Sequence, residues 1–458
     1  MKDVTPPDLT AKKTGFPMMP PIARLESSPQ LPASADYVII GGGIIGVFTA
    51  YYLAKRGAKV CLIEKGLIGA EQSSRNWGWC RQQNRDEREL PLASKSIDLW
   101  ERFAAESGEN AGFERTGLLY LSNDETEIAQ WARWGEFART MGVETHMLSS
   151  AQATERGRFS GKQWRGGVFA PTDGIANPAE AAPAVARAII KLGGTVHQNC
   201  AARGLETTGG RVSGVVTETG VVRTNVAILS AGAWASSFCH QYGLRFPQSS
   251  ARQSVMLIGS GPGELPDALH TAGISITRRG HSGHLLSISG RARIDLTPQK
   301  IRFAKDFVPM FFKRRKNLAL GGWEGMRGSH ETLGKWALDK VTPMERMRIL
   351  EPKPDATALQ LTHDRAIDMV PALRERTVTA RFAGFIDSTP DSVPGIGEFA
   401  ALPGLVLAAG FSGHGFGIGP GAGHLIADMV SGATPIVDPA SYHPSRFDSS
   451  QRIRVADY

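Results

Sequence analysis

The chain has 458 residues, 41% hydrophobic and 21% charged, with a formal net charge of +8, a balance that excludes a disordered or fibrous chain and gives core enough for roughly two or three domains. The basic residues are scattered, so nucleic acid is not expected as a partner. Four cysteines (Cys61, Cys80, Cys200, Cys239) stand far apart with no CxxC pair, which indicates neither a disulfide framework nor a bound metal.

Residues 1–35 are rich in Pro, Ser and Thr, lack the apolar core of a signal peptide and read as an N-terminal arm. No later stretch is long and apolar enough for an ordinary transmembrane helix, and a cytoplasmic, reducing location fits. Residues 37–64 read as strand, glycine turn, helix and second strand. Tyr37–Ile40 is an apolar run of strand length, three glycines follow, apolar residues recur at helical spacing through Val47, Tyr51 and Leu53, and Gly57 ends the helix before Val60–Ile63. Gly41 permits the tight turn, Gly43 lets the backbone approach a pyrophosphate, and Gly46 lets the helix pack closely on the strand. The helix start, with Ile44 and Ile45, would hold phosphates. Glu64, with Lys65 beside it, would accept hydrogen bonds from the ribose hydroxyls and repel a 2′-phosphate. The pattern predicts dinucleotide binding.

The next loop contains Ser73, Ser74, Arg75 and Asn76, which offer hydroxyl, guanidinium and amide contacts to a pyrophosphate or a ring system. Gly78 allows close approach, and Trp77 and Trp79 would flank a flat cofactor; a polar helix start accounts for the same loop equally well. A helix is expected over 90–103. VAILSAGAWASSF (226–238) reads as a strand followed by the small-residue turn Ala231, Gly232, Ala233, Trp234, as close approach to a cofactor requires. Alternating stretches at 254–259, 284–289 and 318–323 predict an antiparallel sheet. Candidate substrate contacts within or near it are Arg252, Arg278, Arg279, His281, His284, Trp323 and Glu324, for each of which a structural role is the other, and favoured, reading. The apolar run 307–312 with the basic cluster 313–316 reads as a solvated helix end, a peripheral membrane or partner-subunit contact being the other reading. In 404–430, a strand leads through Gly410, Gly413, His414, Gly415, Phe416, Gly417 and Ile418 to a final helix with Pro420 in its first turn. N–H donors are thereby gathered at that helix start.

GGGIIG, Glu64 and SSRNWG together resemble the FAD-dependent oxidoreductases of the D-amino acid oxidase superfamily, the branch holding glycine and sarcosine oxidases and D-amino acid dehydrogenases. PTDGIANP (171–178), the AGAW turn and STPDSVPGIG (388–397) are similar to further motifs of that family, so the resemblance runs from Asp36 to about Phe447. It implies an α/β (α+β overall) chain in which a Rossmann-like FAD-binding domain is interleaved with an antiparallel-sheet substrate domain. The first would take 36–95, 150–241 and 377–440 and the second 96–149 and 242–376, with 441–458 as a C-terminal tail. It also implies noncovalent FAD, with Ala201 and Ala202 at the adenine and Ala231, Gly232, Trp234, Gly384 and the 410–418 loop about the flavin. His414 would lie near the ring, either stabilising the reduced anion or satisfying a backbone carbonyl.

The implied reaction is hydride transfer from a carbon bearing nitrogen to flavin N5, giving an imine that water hydrolyses. The neutral amine supplies the electron push, so the protein's task is alignment to within about 3–3.5 Å. The substrate is an amino acid or amine, and the electron acceptor O2 or a respiratory carrier. Several amino-acid-oxidising relatives carry Trp-x-Gly-x-Arg before the TPD signature, the Arg clamping a carboxylate. This chain has Phe382-Ala383-Gly384-Phe385-Ile386-Asp387, and Asp387 in that place would attract an ammonium group, leaving a carboxylate to Arg279 or Arg252. The candidate catalytic set is therefore His414, Asp387, Trp323 and Arg279. Two alternatives stand beside this reading: an FAD-dependent 2-hydroxy acid dehydrogenase, and the flavin subunit of an opine- or hydroxyproline-type dehydrogenase complex.

Overall fold

The apolar strand Tyr37–Ile40 lies inside a six-stranded sheet whose order is Gly395–Glu398, Leu405–Ala409, Ala227–Leu229, Tyr37–Ile40, Val60–Ile63 and Thr195–His197. All neighbours are parallel except the first pair. This computed structural model describes residues 20, 22–280, 283–288, 291–326, 329–448 and 454–455. Most of the arm and His281 lie outside the described residues.

The helix Ile44–Lys55 is apolar on every side and is buried from Ile44 to Ala54 between Ala181–Lys191 and the final helix Gly419–Ser431. Gly423 makes that packing close, since a Cβ there would sit 2.6 Å from the Phe48 backbone carbon. The parallel strands end together at Gly41, Glu64, Ser230 and Gly410, along the edge where ligands of open α/β sheets bind.

A ten-stranded sheet faces this edge. At its heart Ser249–Ile258 and Val378–Ser388 pair antiparallel along their lengths, and Val378–Ser388 leads directly into the TPD turn. Gly283–Ser287 joins the sheet, as the alternation at 284–289 predicts, and so do Leu118–Ser122 and Gly166–Ala170. The expected strand at 318–323 is only Leu318–Leu320, because the chain turns into the 3-10 segment Trp323–Met326. The predicted helix at 90–103 is Leu90–Ser107. Helix Ala304–Arg314 buries no residue and leaves Val308, Phe311 and Phe312 exposed ahead of the basic cluster. Among the described residues no helix is long and apolar enough to cross a membrane.

Candidate functional site

A cavity of about 1150 Å³ lies where the parallel strands end against the ten-stranded sheet. It begins at Gly43, Ile44 and Ile45, passes Ser73, Arg75, Asn76, Trp77 and Trp79, and reaches the loop Gly413, His414, Gly415, Phe416 and Gly417. Ala251, Gln253, Gly384, Phe385 and Ile386 line it from the large sheet, and Phe307 and Phe311 from the helix 304–314.

Two glycines bring its walls together. Gly41 has φ +110, and a Cβ on it would lie 2.4 Å from the carbonyl oxygen of Ser230. Gly417 passes so near the loop after the first βαβ unit that a Cβ would lie 2.7 Å from the carbonyl oxygen of Trp79. The same loop is tied down by its own side chains. Asn76 Nδ2 donates to the carbonyl oxygens of Gln72 and Ser73 while its Oδ1 accepts from Gly78 N, and Arg75 donates to the carbonyl oxygens of Ala70 and Ala383. Ser73 Oγ accepts from Ile44 N. Trp77 and Trp79 stand edge to face, 4.7 Å between ring centroids.

These residues fit FAD. The N-cap of the first helix is Gly43, which supplies no side-chain cap, so apart from Ile44 N, which Ser73 Oγ holds, the helix start is open to an anion. The final helix likewise starts at Ile418 without a side-chain cap. On the lining, Gln72 Oε1 and Trp79 Nε1 are buried with no partner in the protein, as polar atoms reserved for a ligand would be.

Other residues expected at the cofactor lie apart from this cavity. Glu64 accepts from Gly42 N at 2.7 Å and Gly66 N at 2.8 Å, and its enclosure there pushes the carboxyl above its ordinary range. Lys65 is committed to Glu71 and to the carbonyl oxygens of Met347 and Arg348, with Nζ 4.9 Å from the centroid of the Trp234 ring. Ala201 N donates to Glu218, and Ala202 begins a strand of the separate three-stranded sheet. Gly232 lines the cavity, whereas Ser74, Ala231, Trp234, Gly41, Gly46, Gly78, Gly410 and Ile418 are not among its lining residues.

The candidate catalytic set divides. His414 lines the cavity, and its Nδ1 lies 2.9 Å from Glu89 Oε2. Burial lowers its pKa, Arg85 lowers it further, and Glu89 opposes both. Asp387 also reaches the lining, but its Oδ2 accepts from Gln248 Nε2 and from Gly410 N, each at 3.2 Å, and burial pushes it up to about 6. Counted from Phe382, the Arg place of Trp-x-Gly-x-Arg falls on Ile386, not on Asp387 as expected from the sequence. Ile386 and Asp387 both reach the lining, so the one-residue difference puts an apolar side chain in the place of the Arg. The Cβ positions of Gly384 and Gly413 approach Arg75 and Ile386, while Asp387 turns to Gln248.

Arg279 does not reach the cavity: it donates to the carbonyl oxygens of Ser74 and Asn76 and braces the cofactor loop from behind. Trp323 is 73% exposed and also away from the cavity, because the chain leaves the sheet before reaching it. Arg252 pairs with Asp295, Arg278 with Glu114 and Asp267, and His284 lies by Arg376. Glu89, fully buried beneath His414, was not singled out by sequence reasoning; a lone acid ahead of a helix carries no distinguishing mark.

The family model for FAD dependent oxidoreductases matches residues 36–429. Glycine oxidase from Pseudomonas putida is 25% identical over 423 residues, covering 90% of this chain and 98% of the relative. Sarcosine oxidase subunit beta from an Arthrobacter species is 24% identical over 444 residues, covering 94% of this chain and 95% of the relative. The solved structure of L-amino acid deaminase from Proteus myxofaciens in complex with anthranilate superposes with a TM-score of 0.89 at 25% identity, covering 94% of this chain and 97% of that one.

Proposed function

Since this chain belongs to the FAD dependent oxidoreductase family, we propose that its cavity holds an amino acid or a primary or secondary amine for oxidation of the C–N bond. The observation that carries this reading is the continuity of one cavity from the open helix start at Gly43 to His414 and on beneath the large sheet. FAD, when bound, supplies the acceptor for the hydride. The protein's share is orientation. The 73–79 loop and the 413–417 loop form walls fixed by their own hydrogen bonds and by close backbone approach, and the tryptophan pair restricts the space and excludes water.

His414 and Glu89 support a proton role. With Nδ1–H donated to the Glu89 carboxylate, the neutral imidazole keeps its lone pair on Nε2. That atom can take the proton of a substrate ammonium group and leave the amine neutral, the form able to release a hydride. A 2-hydroxy acid would use the same base, which keeps that reading in play.

Anaerobic titration of the yellow protein with amino acids of both hands, simple amines and 2-hydroxy acids tests the proposal. Loss of the yellow flavin absorbance on adding an amino acid or amine is expected; bleaching by hydroxy acids alone would overturn it. Reoxidation of the bleached protein by air, compared with an artificial quinone, separates O2 from a respiratory carrier as the acceptor.

A further inference from the structure

We propose that Arg81 and Arg85 form an anion subsite that holds the carboxylate of the substrate. The inference rests on the C–N oxidation reading and narrows it from amines in general to amino acids. Both side chains line the cavity. Arg85 is 3% exposed, its Nε donates to the carbonyl oxygen of Arg81, and its Nη1 is buried with no hydrogen-bond partner. Arg81 directs Nη1 at the carbonyl oxygen of Gln83 and at the Tyr120 hydroxyl, with its guanidinium 6.0 Å from the centroid of the Trp79 ring. Among the described residues neither has a carboxylate oxygen within 4.0 Å.

Two other cavity cations are paired: Arg75 has Glu351 at 3.5 Å, and Lys300 has Glu331 at 2.9 Å. Arg291 also lines the cavity with a buried, unpartnered Nε, but it stands beside the strand Ala292–Ile294, away from the aromatic wall about Arg81 and Arg85. The arginines expected from sequence to clamp a carboxylate, Arg279 and Arg252, are used on backbone carbonyls and on Asp295. The acids nearest Arg85 are engaged too: Asp173 accepts from the N–H groups of Gln82 and Gln83, and Glu89 holds His414.

A guanidinium withdrawn from water without a counter-charge is costly, and two side by side more so. Burial, with Arg81 adding to it, pulls the pKa of Arg85 down to about 10, although the more distant Glu89 and Asp173 oppose the shift. An incoming carboxylate removes that penalty and matches the forked geometry of the donors. The surroundings suit the rest of an amino acid: Trp79, Tyr120, Trp131 and His270 form an aromatic wall, and burial keeps His270 neutral, with a pKa lowered to about 3. His414 lines the same cavity, and the charge of Arg85 helps to lower its pKa. One clamp can therefore place the carboxylate while Nε2 of His414 meets the nitrogen.

The test uses the FAD-loaded native protein and the variants Arg81→Gln, Arg85→Gln and Arg85→Lys, with Arg291→Gln as a control in which phenylacetate binding should not change. Flavin absorbance is followed during titration with phenylacetate, with phenylacetamide as the neutral control, and kcat/KM is measured for an amino acid and for its decarboxylated amine. Arg81→Gln and Arg85→Gln are each expected to weaken phenylacetate binding at least tenfold and to leave phenylacetamide unchanged. The preference for amino acid over amine should fall by a similar factor, and Arg85→Lys should recover part of it. Retained yellow colour shows that the fold is intact; if Arg85→Gln does not fold, the less buried Arg81→Gln carries the test. Unchanged phenylacetate affinity in Arg81→Gln and Arg85→Gln overturns the subsite. So does a loss seen only in Arg291→Gln, since Arg291 is the cavity arginine beside the strand Ala292–Ile294, several strands away. A native protein bleached by no amino acid or amine would instead remove the reading on which the subsite rests.

Discussion

Replacing Asp387 by Asn should make the protein more stable at alkaline pH and change it little in acid. The Asp387 carboxyl is 8% exposed, and burial raises it from 3.8 to about 6 despite the hydrogen bonds from Gln248 and Gly410. A rise of roughly two units, at about 1.4 kcal/mol each, makes the ionised form cost on the order of 3 kcal/mol of folding free energy. Because the folded pKa lies above the unfolded one, the native state holds the extra proton between 3.8 and about 6. Its contribution is whole below the lower value and is lost as pH rises through the upper one. Asn does not titrate, and its carbonyl oxygen can still accept from Gly410 N. Urea unfolding of both proteins at saturating FAD, at about pH 4.5 and about pH 8, measures the difference between them at each pH; other titrating groups cancel in the comparison. Between those two pH values the variant's relative stability should rise by about 2 kcal/mol, since roughly 1 kcal/mol of the full ~3 kcal/mol already separates the two proteins at the lower pH. A difference that stays flat, or that falls, would refute the claim that Asp387 is held in a site that resists its charge.

Gly417→Ala would place a Cβ 2.7 Å from the Trp79 carbonyl oxygen and 3.2 Å from Cys80 Cα, both backbone atoms that cannot rotate away. It should cost about 1–3 kcal/mol and weaken FAD retention, read as flavin fluorescence released on dilution; unchanged retention would show that the two loops can separate freely. Glu89→Gln keeps an acceptor for His414 Nδ1 but removes the charge that raises the imidazole pKa, so the acid limb of kcat/KM should move to lower pH at constant FAD content. A stationary limb would take the proton role from His414. Arg279→Met removes the donors to Ser74 and Asn76 and should lower unfolding stability by about 1–3 kcal/mol with substrate KM unchanged; a raised KM at native stability would return this arginine to the substrate.

What could be read from the sequence follows the range over which each feature is decided. The unit Tyr37–Ile40, Ile44–Lys55 and Val60–Ile63 is set by local chemistry: apolar runs of strand length, a glycine that must hold positive φ, and a helix apolar on all sides because it is buried on all sides. The 413–417 loop is readable for the same reason, since close backbone approach demands glycine wherever it occurs. Asp387 was counted one place off the motif, and although it reaches the cavity its carboxylate is taken up by Gln248 and Gly410, partners that only the fold brings to it. The three-residue strand Leu318–Leu320 shows the complementary failure: alternation persists in sequence after hydrogen bonding has stopped.

Arginine is where local reading has least purchase. Arg279, Arg252, Arg81 and Arg85 are alike as residues, and what separates them is the partner each meets after folding, for Arg279 some two hundred positions away. Burial pulls the pKa of Arg279 down to about 10, as it does for Arg85, but the donors of Arg279 end on the carbonyl oxygens of Ser74 and Asn76 and it does not line the cavity, so a ligand there does not reach it. A cation enclosed beside a cavity without a counter-charge gains most. Accounting for charge over the folded site therefore ranks Arg81 and Arg85 above Arg279 as substrate contacts, a ranking that neither composition nor spacing could supply.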